Sequence, residues 1–161
     1  MNLCALSLGS NIGNRLANIR KAAELLEDRV GTISAKSEVY ETAPWGLKSQ
    51  PRFLNACVLL ETELSPHGLL SETQAIEREI GRIARERWGP REIDIDILTY
   101  GDTLLNEEKL VIPHPLMSER AFVLVPMSDI ARDFVHPSDG TSIGDFLART
   151  GREGIVRVVS L

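Results

Sequence analysis

The sequence predicts an α+β fold because strand-like and helix-like hydrophobic patterns follow one another in the order strand, helix, strand, strand, helix, strand. From residue 101 onward the chain is irregular, with a helical segment that we expect Pro126 to break, a short helix and a last apolar run. This order is typical of a ferredoxin-like βαββαβ sandwich, here with a C-terminal extension of short helices and a strand. Because the 161 residues contain no internal repeat or linker-like stretch, we expect a single domain over 1–161.

Two different periodicities predict the first strand and the first helix. Residues 2–9 form a short apolar run of strand length. Residues 14–30 instead repeat apolar side chains at steps of three and four, and Gly31 ends the pattern as glycine ends many helices. We therefore expect a buried strand followed by an amphipathic helix.

Two further strands are predicted at 32–40, where apolar and polar residues alternate, and at 53–62, which is rich in apolar residues. Segment 41–52 between them contains two prolines and a glycine, which are typical of a loop. We expect this loop to expose Trp45.

The second helix begins with Ser65 as N-cap and Pro66 in the first turn, the positions that these residues prefer. Apolar residues from Leu69 to Ile83 form one stripe, and after a Gly-Pro break residues 93–100 alternate as a strand. We expect the helices to cover one face of an antiparallel sheet and to leave the other face free for a ligand.

Charge and cysteine content narrow the class of protein. The net charge of -5 argues against general binding to nucleic acid or membrane surfaces, and no apolar run approaches the about 18 residues of a membrane span. Cys4 and Cys57 lie in apolar, strand-like contexts that favour buried reduced thiols. We expect a cytoplasmic protein that acts as a monomer on small molecules.

An arginine-rich stretch stands out in this acidic chain. Between Arg78 and Arg91 there are five arginines and two glutamates, a local charge of +3. The planar guanidinium suits bidentate contacts with phosphate. A solvated helix face with internal ion pairs would have the same composition, so this alternative stays open.

Asp94 and Asp96 follow the arginines directly. Because residues two apart in a strand point to the same face, the two carboxylates project together while the neighbouring isoleucines point towards a core. Such a pair can bind one or two divalent cations, and Mg2+ completes its shell with water and substrate phosphate. A solvated polar sheet face or direct ion pairing with arginine would also accommodate the pair. The chain has no G-x-x-x-x-G-K-[ST], which excludes a P-loop as the source of phosphate binding.

Five segments, in the same order, resemble a known family: SLGSNIGNR at 7–15, YETAPWG at 40–46, FLNA at 53–56, RWGPREIDIDIL at 87–98 and IPHPLMSERAFVLVPMSDIA at 112–131. On these motifs the sequence resembles the 6-hydroxymethyl-7,8-dihydropterin pyrophosphokinases (2-amino-4-hydroxy-6-hydroxymethyldihydropteridine diphosphokinases) of folate biosynthesis. The resemblance implies an enzyme that uses ATP and two Mg2+ ions. It would transfer pyrophosphate as a unit to the hydroxymethyl group of the pterin and release AMP.

The resemblance also implies roles for individual residues. Asp94 and Asp96 would hold the Mg2+ ions, while Arg82 and Arg91 would bind phosphate and stabilise charge in the transition state. The implied ATP site comprises Gln74, Glu77, Arg87, Trp88, His114 and Arg120. The implied pterin pocket, in which the flat ring stacks between two aromatic rings, comprises Thr42, Trp45, Phe53, Asn55 and Phe122.

Two other functions stay open beside this one. A non-catalytic ferredoxin-like module that binds a small regulatory ligand would need neither the acidic pair nor the arginines. An RNA-binding sheet shares the order of elements but favours basic and aromatic side chains on its central strands. Asp94 and Asp96 would repel RNA phosphates there, so we rank this function last.

Overall fold

The computed structural model describes residues 1–42, 49–82 and 89–161. In chain order its strands and helices are β1 (Asn2–Ser10), α1 (Arg15–Arg29), β2 (Gly31–Lys36), β3 (Glu38–Thr42), β4 (Phe53–Thr62), α2 (Pro66–Ile80), β5 (Asp94–Tyr100), β6 (Leu105–Asn106), β7 (Val111–Ile112), α3 (Ala121–Ala131), α4 (Ile143–Thr150) and β8 (Val156–Ser160). The predicted ferredoxin-like α+β order with its C-terminal extension is confirmed.

One antiparallel sheet forms the centre of the molecule. Its strand order is β5-β1-β4-β3-β8, and β2 also pairs with β4. Strand β1 lies between β4 and β5 over most of its length. Strand β8 of the C-terminal extension adds to the edge beside β3, and β6 and β7 form a separate two-stranded sheet.

The predicted single strand at 32–40 was wrong in one respect, because Ser37 divides it into β2 and β3. Ser37 donates its backbone N–H to the carbonyl of Cys57 (2.9 Å), and its Oγ accepts from the Cys57 N–H (2.8 Å). The hydroxyl therefore satisfies a buried backbone donor where the chain changes register. As a result β2 pairs with the second half of β4 and β3 with the first half.

The expectation that one sheet face stays free was also wrong. Helices α1 and α2 pack on one face, in the core that contains Leu6 and Leu8. Helices α3 and α4 cover much of the opposite face, in a second core that contains Ala5 and Leu124. The strongly apolar segment that forms α3 must itself be buried, and only the second sheet face is available for it. Space for a ligand is thereby restricted to one end of this face.

Local signals explain where the helices begin and end. Ser65 caps α2 by accepting from the Gly68 N–H at 3.0 Å, and Gly81 ends it with a left-handed backbone (φ 115°). Pro126 does not break α3, contrary to the prediction. It removes one helical hydrogen bond, but the buried side chains on both sides of it, Val125 and Met127, hold the segment against the sheet.

Two smaller predictions concern the cysteines and the membrane. Cys4 and Cys57 are both buried and free, as expected. Burial raises the pKa of the Cys4 thiol to about 12, so it stays protonated and unreactive. Within the described ranges, every helix is too short or too polar to cross a membrane.

Candidate active site

A cavity of about 280 Å³ lies at the edge of the sheet where β1 and β3 end and where β4 and β5 begin. Antiparallel pairing brings these four strand ends together, and the chain from β7 to α3 covers them. The cavity is lined by Ser7, Gly9, Thr42, Phe53, Asn55, Gly89, Arg91, Asp94, Asp96, His114, Pro115, Leu116, Arg120 and Phe122.

The acidic pair lies on β5 at the cavity wall. Asp94 and Asp96 both face the cavity, whereas Ile95 is buried in the core on the other side of the sheet. On the neighbouring strand β1, Gly9 is opposite Asp94 and Ser7 is opposite Asp96. These small neighbours leave the space beside both carboxylates open.

The electrostatic environment of Asp96 favours a bound cation. Burial and the nearby charge of Asp94 raise the pKa of Asp96 to about 8, while Arg120 and Arg91 lower it to a smaller extent. Two carboxylates held this close cannot both ionise easily unless positive charge is added. A divalent cation adds that charge, and Mg2+ prefers carboxylate oxygens, so the donor set fits it. Within the described residues, no three His, Cys, Asp or Glu side chains form a metal site by themselves.

Two arginines contact Asp94 of the acidic pair. Arg91 Nη1 donates to Asp94 Oδ1 at 3.2 Å and also lines the cavity. Arg82 Nη1 reaches the same oxygen at 3.1 Å from the end of α2, and it lies outside the cavity lining. Asp94 therefore forms ion pairs with arginine, and both aspartates still face the cavity.

Glu77 acts on the cavity only through other residues. It is buried, and its Oε2 accepts from Arg82 Nη1 (2.7 Å) and from the Ile95 N–H (2.8 Å). Burial raises the pKa of Glu77, and these two hydrogen bonds oppose that shift. Glu77 therefore holds Arg82 beside the start of β5, whereas Gln74 is exposed on α2 and does not line the cavity.

Arg120 and His114 line the cavity from the chain between β7 and α3. Arg120 is buried at the start of α3, and its guanidinium carbon lies 5.4 Å from the centroid of the Phe122 ring. Burial lowers the pKa of Arg120, while the charges of Asp96 and Asp94 oppose this. His114 Nδ1 accepts from the Leu116 N–H at 3.2 Å, which assigns the proton of the neutral ring to Nε2.

The other end of the cavity is aromatic and uncharged. Asn55 Nδ2 donates to Thr42 Oγ1 at 2.7 Å, and both residues are buried. This bond orients the carboxamide of Asn55 beside Phe53 and Phe122. A carboxamide both donates and accepts, so this end suits a flat heterocycle with a hydrogen-bonding edge.

Sequence reasoning did not select every lining residue. It missed Ser7, Gly9, Gly89, Pro115 and Leu116. The small residues at alternate positions of β1 were an available signal, because alternate residues share a face. The predicted residues Trp45, Arg87 and Trp88 lie outside the described residues.

The free energy of unfolding should fall on acidification because the His114 side chain is buried in its neutral form. Burial and Arg120 lower the pKa of His114 from 6.5 to about 4. Between these values the unfolded chain binds a proton that the folded chain excludes, so stability is lost as pH falls from 6.5 towards 4. His114→Asn keeps an acceptor for the Leu116 N–H, and denaturation series at several pH values should therefore show a smaller acid loss than wild type. A difference between the two proteins that is constant from pH 7 to 4 contradicts this explanation.

The fold and the cavity together define an α+β protein whose cavity, at the strand ends, combines carboxylates of a kind that suits a divalent cation with arginines of a kind that suits phosphate. The sequence model of the 7,8-dihydro-6-hydroxymethylpterin-pyrophosphokinase family matches residues 5–132. The chain belongs to this family, and the predicted resemblance is confirmed.

Individual relatives agree with the family match. The 2-amino-4-hydroxy-6-hydroxymethyldihydropteridine pyrophosphokinase of Methylorubrum extorquens is 46% identical over 98% of this chain and 99% of its own length. The protein of the same name from Bacillus subtilis is 41% identical over 96% of this chain and 89% of its own length. These relatives support the prediction of an ATP-dependent diphosphotransferase.

A crystal structure of Plasmodium falciparum HPPK-DHPS resembles the fold with a TM-score of 0.77 at 17% identity. The match covers 98% of this chain and 47% of the Plasmodium chain, so the present chain spans about half the length of that protein. At this identity the likeness supports the fold alone.

Proposed function

We propose that this protein transfers the pyrophosphoryl group of ATP to 6-hydroxymethyl-7,8-dihydropterin, a step in folate biosynthesis. The hydroxymethyl oxygen forms a bond to the β-phosphorus and loses its proton. The bond between the β-phosphorus and the oxygen bridging to the α-phosphorus breaks, and AMP leaves with that oxygen. The products are AMP and the pterin diphosphate.

One observation carries this proposal: a single cavity joins a charged end to an uncharged aromatic end. The charged end contains the acidic pair with Arg91 and Arg120, and the uncharged end contains Phe53 and Asn55. Transfer between a polyphosphate and a flat heterocycle needs both environments side by side, because the two substrates must be aligned for attack.

At the pterin end, the ring stacks between Phe53 and Phe122, and Asn55 reads its polar edge with support from Thr42. Trp45 keeps the pterin-side role that the family resemblance implies, as a prediction.

At the phosphate end, Asp94 and Asp96 hold Mg2+, for which we expect two ions. Bound there, Mg2+ supplies positive charge that neutralises the triphosphate. Arg91 and Arg120 bind phosphate oxygens, Arg82 adds charge next to Asp94, and His114 offers its Nε2–H to the nucleotide. The ATP-side roles of Gln74, Glu77, Arg87 and Trp88 stay predictions.

The relatives are named as pyrophosphokinases, which supports a catalytic function and gives no support to the alternative of a non-catalytic, ligand-binding module. We further propose that residues 1–161 act as a single domain, as a monomer in the cytoplasm.

The decisive experiment measures AMP formation from ATP with and without the reduced hydroxymethylpterin and Mg2+. We expect AMP and the pterin diphosphate in equal amounts, with formation dependent on both additions. Formation of ADP, or release of AMP without the pterin, would contradict the proposal.

A substitution at Gly9 should affect the pterin end selectively. A Cβ at Gly9 would lie 2.9 Å from Asn55 Oδ1 and 3.6 Å from the Phe53 ring. The new methyl group in Gly9→Ala should push the Asn55 carboxamide away and strain its hydrogen bond with Thr42. The misplaced carboxamide should raise the KM for the pterin about tenfold. The KM for ATP in the same variant is the internal control and should change less than about twofold. Equal changes in both constants would contradict a selective effect.

A further inference from the structure

The segment between β1 and α1 contains a buried carboxamide, Asn11, which is only 2% exposed. Its Nδ2 donates to Gln50 Oε1 (2.9 Å) and to the Pro51 carbonyl (3.0 Å). Its Oδ1 accepts from the Arg91 N–H at 2.7 Å, and its backbone N–H donates to the Arg91 carbonyl at 3.0 Å. Asn11 therefore joins two segments that are about 40 residues apart in sequence.

Each of these segments leads to one end of the cavity. Pro51 comes two residues before Phe53, which opens β4 and lines the aromatic end. Arg91 itself lines the charged end and contacts Asp94. Along the chain, Phe53 and Arg91 are separated by β4 and α2. Strand β1 pairs with both β4 and β5 inside the sheet, and Asn11 continues this connection beyond the end of β1 with a side-chain bridge.

The chemistry of the bridge requires an amide. Both Nδ2 hydrogens have an oxygen acceptor and Oδ1 has an N–H donor, so the three contacts orient the carboxamide in one way. An apolar side chain of similar size would leave the Arg91 N–H without this acceptor in a buried place. A carboxylate would keep the contact with Arg91 but lose the donor to the Pro51 carbonyl.

We infer that Asn11 is a positioning residue for the transfer reaction: it sets the distance between the aromatic end of the cavity and Arg91. The inference rests on the proposed function. Attack on phosphorus requires the reacting atoms to be aligned to within less than about 1 Å. A small relative shift of the two ends of the cavity therefore lowers the rate even when every reacting group is still present.

Asn18 provides a matched control. From α1, its Nδ2 donates to the Glu92 carbonyl (3.0 Å) and to the Ile12 carbonyl (3.1 Å). It therefore anchors the same arginine-containing segment as Asn11, also through a carboxamide. Among the residues that the structure describes, it makes no hydrogen bond to Gln50 or Pro51.

The test compares Asn11→Ala with Asn18→Ala by thermal denaturation, by steady-state kinetics in both substrates and by fluorescence titration of the pterin. We expect both variants to lose thermal stability to a similar extent. Asn11→Ala should lower kcat about tenfold and raise both the KM and the Kd for the pterin about tenfold, whereas Asn18→Ala should stay within about twofold of wild type. If Asn11→Ala does not fold, Asn11→Asp replaces it with the same expectations for the pterin, because it keeps the acceptor for the Arg91 N–H.

Two results overturn the inference. One is wild-type kinetics and pterin affinity in the folded Asn11 variant. The other is an equal loss of function in the Asn11 and Asn18 variants, which would assign both a merely structural role. Failure of the proposed function can be distinguished from failure of this inference. It would appear as the absence of AMP formation by the wild-type protein, and the pterin titration would still test the role of Asn11.

Discussion

Asp96→Asn is expected to lower pyrophosphoryl transfer by about a thousandfold while leaving the protein folded. The variant keeps the size of the side chain but removes one of the two carboxyl groups that face the cavity. A neutral amide is a poor ligand for Mg2+, so the charge that the triphosphate brings would not be neutralised. Steady-state measurement of AMP formation in saturating Mg2+ gives the result.

The same variant should be more stable than wild type in metal-free buffer at high pH. In the unfolded chain the Asp96 carboxyl ionises near its usual pKa of 3.8, whereas burial and Asp94 raise its pKa in the folded protein to about 8. The folded state therefore holds a proton that the unfolded state has lost, and stability falls as pH rises from about 4 through 8. Asparagine has no charge to bury, so the thermal midpoint of Asp96→Asn should exceed that of wild type increasingly over this range.

Asp102→Asn is the control, because Asp102 is exposed and lies outside the cavity. It should change neither turnover nor the pH dependence of stability. Near wild-type turnover of Asp96→Asn in Mg2+ would refute the metal-binding role. A thermal midpoint difference independent of pH would refute the assignment of the raised pKa to Asp96.

Arg91→Ala is expected to lower kcat by about a hundredfold or more while weakening ATP binding only a few-fold. The guanidinium contacts Asp94 and faces the cavity where charge develops on the transferred group. Interactions that strengthen in the transition state reduce turnover more than ground-state affinity when they are lost. The contacts of Arg91 with Asn11 use main-chain atoms, so the substitution leaves that bridge in place.

Kinetics and nucleotide titration of Arg91→Ala should be compared with those of Arg78→Ala, which removes an exposed arginine of α2. Arg78→Ala should resemble wild type in both measurements. Arg91→Lys should recover only part of the loss, because an ammonium cannot reproduce the planar fork. Weaker ATP binding with unchanged turnover in Arg91→Ala would show that this arginine acts in binding alone.

Much of the fold could be predicted because its signals are local. The serine and proline predict the start of α2, and the repeat of α1 predicts both of its ends within one residue. The prediction for the end of α2 was wrong, because its apolar stripe runs on to Ile83 whereas Gly81 ends the helix after Ile80. The division of the second strand at Ser37 could not be predicted, because it depends on hydrogen bonds to Cys57, which is 20 residues away. The covering of the second sheet face by α3 likewise depends on how the C-terminal extension packs.

The candidate site divides in the same way. Alternation along β5 determines that Asp94 and Asp96 share a face, and the motifs of the family identify most of the cavity lining. Gly9 and Asn11 acquire their importance only from groups that reach them from other strands and loops: side chains at Gly9, and both a side chain and main-chain atoms at Asn11.

The sequence by itself determined the order of elements, the direction of side chains within each strand and helix, and the residue types that suit phosphate and magnesium. The direction of side chains follows from the backbone period, and the other two properties can be read from residue types and their local patterns, so all three depend on only a few neighbouring residues. The tertiary structure alone decided how the two ends of the cavity are joined, that Glu77 contacts Arg82 instead of lining the cavity, and that the pKa of Asp96 is raised. Burial, close approach and electrostatic repulsion arise between segments far apart in the chain, so no local pattern encodes them.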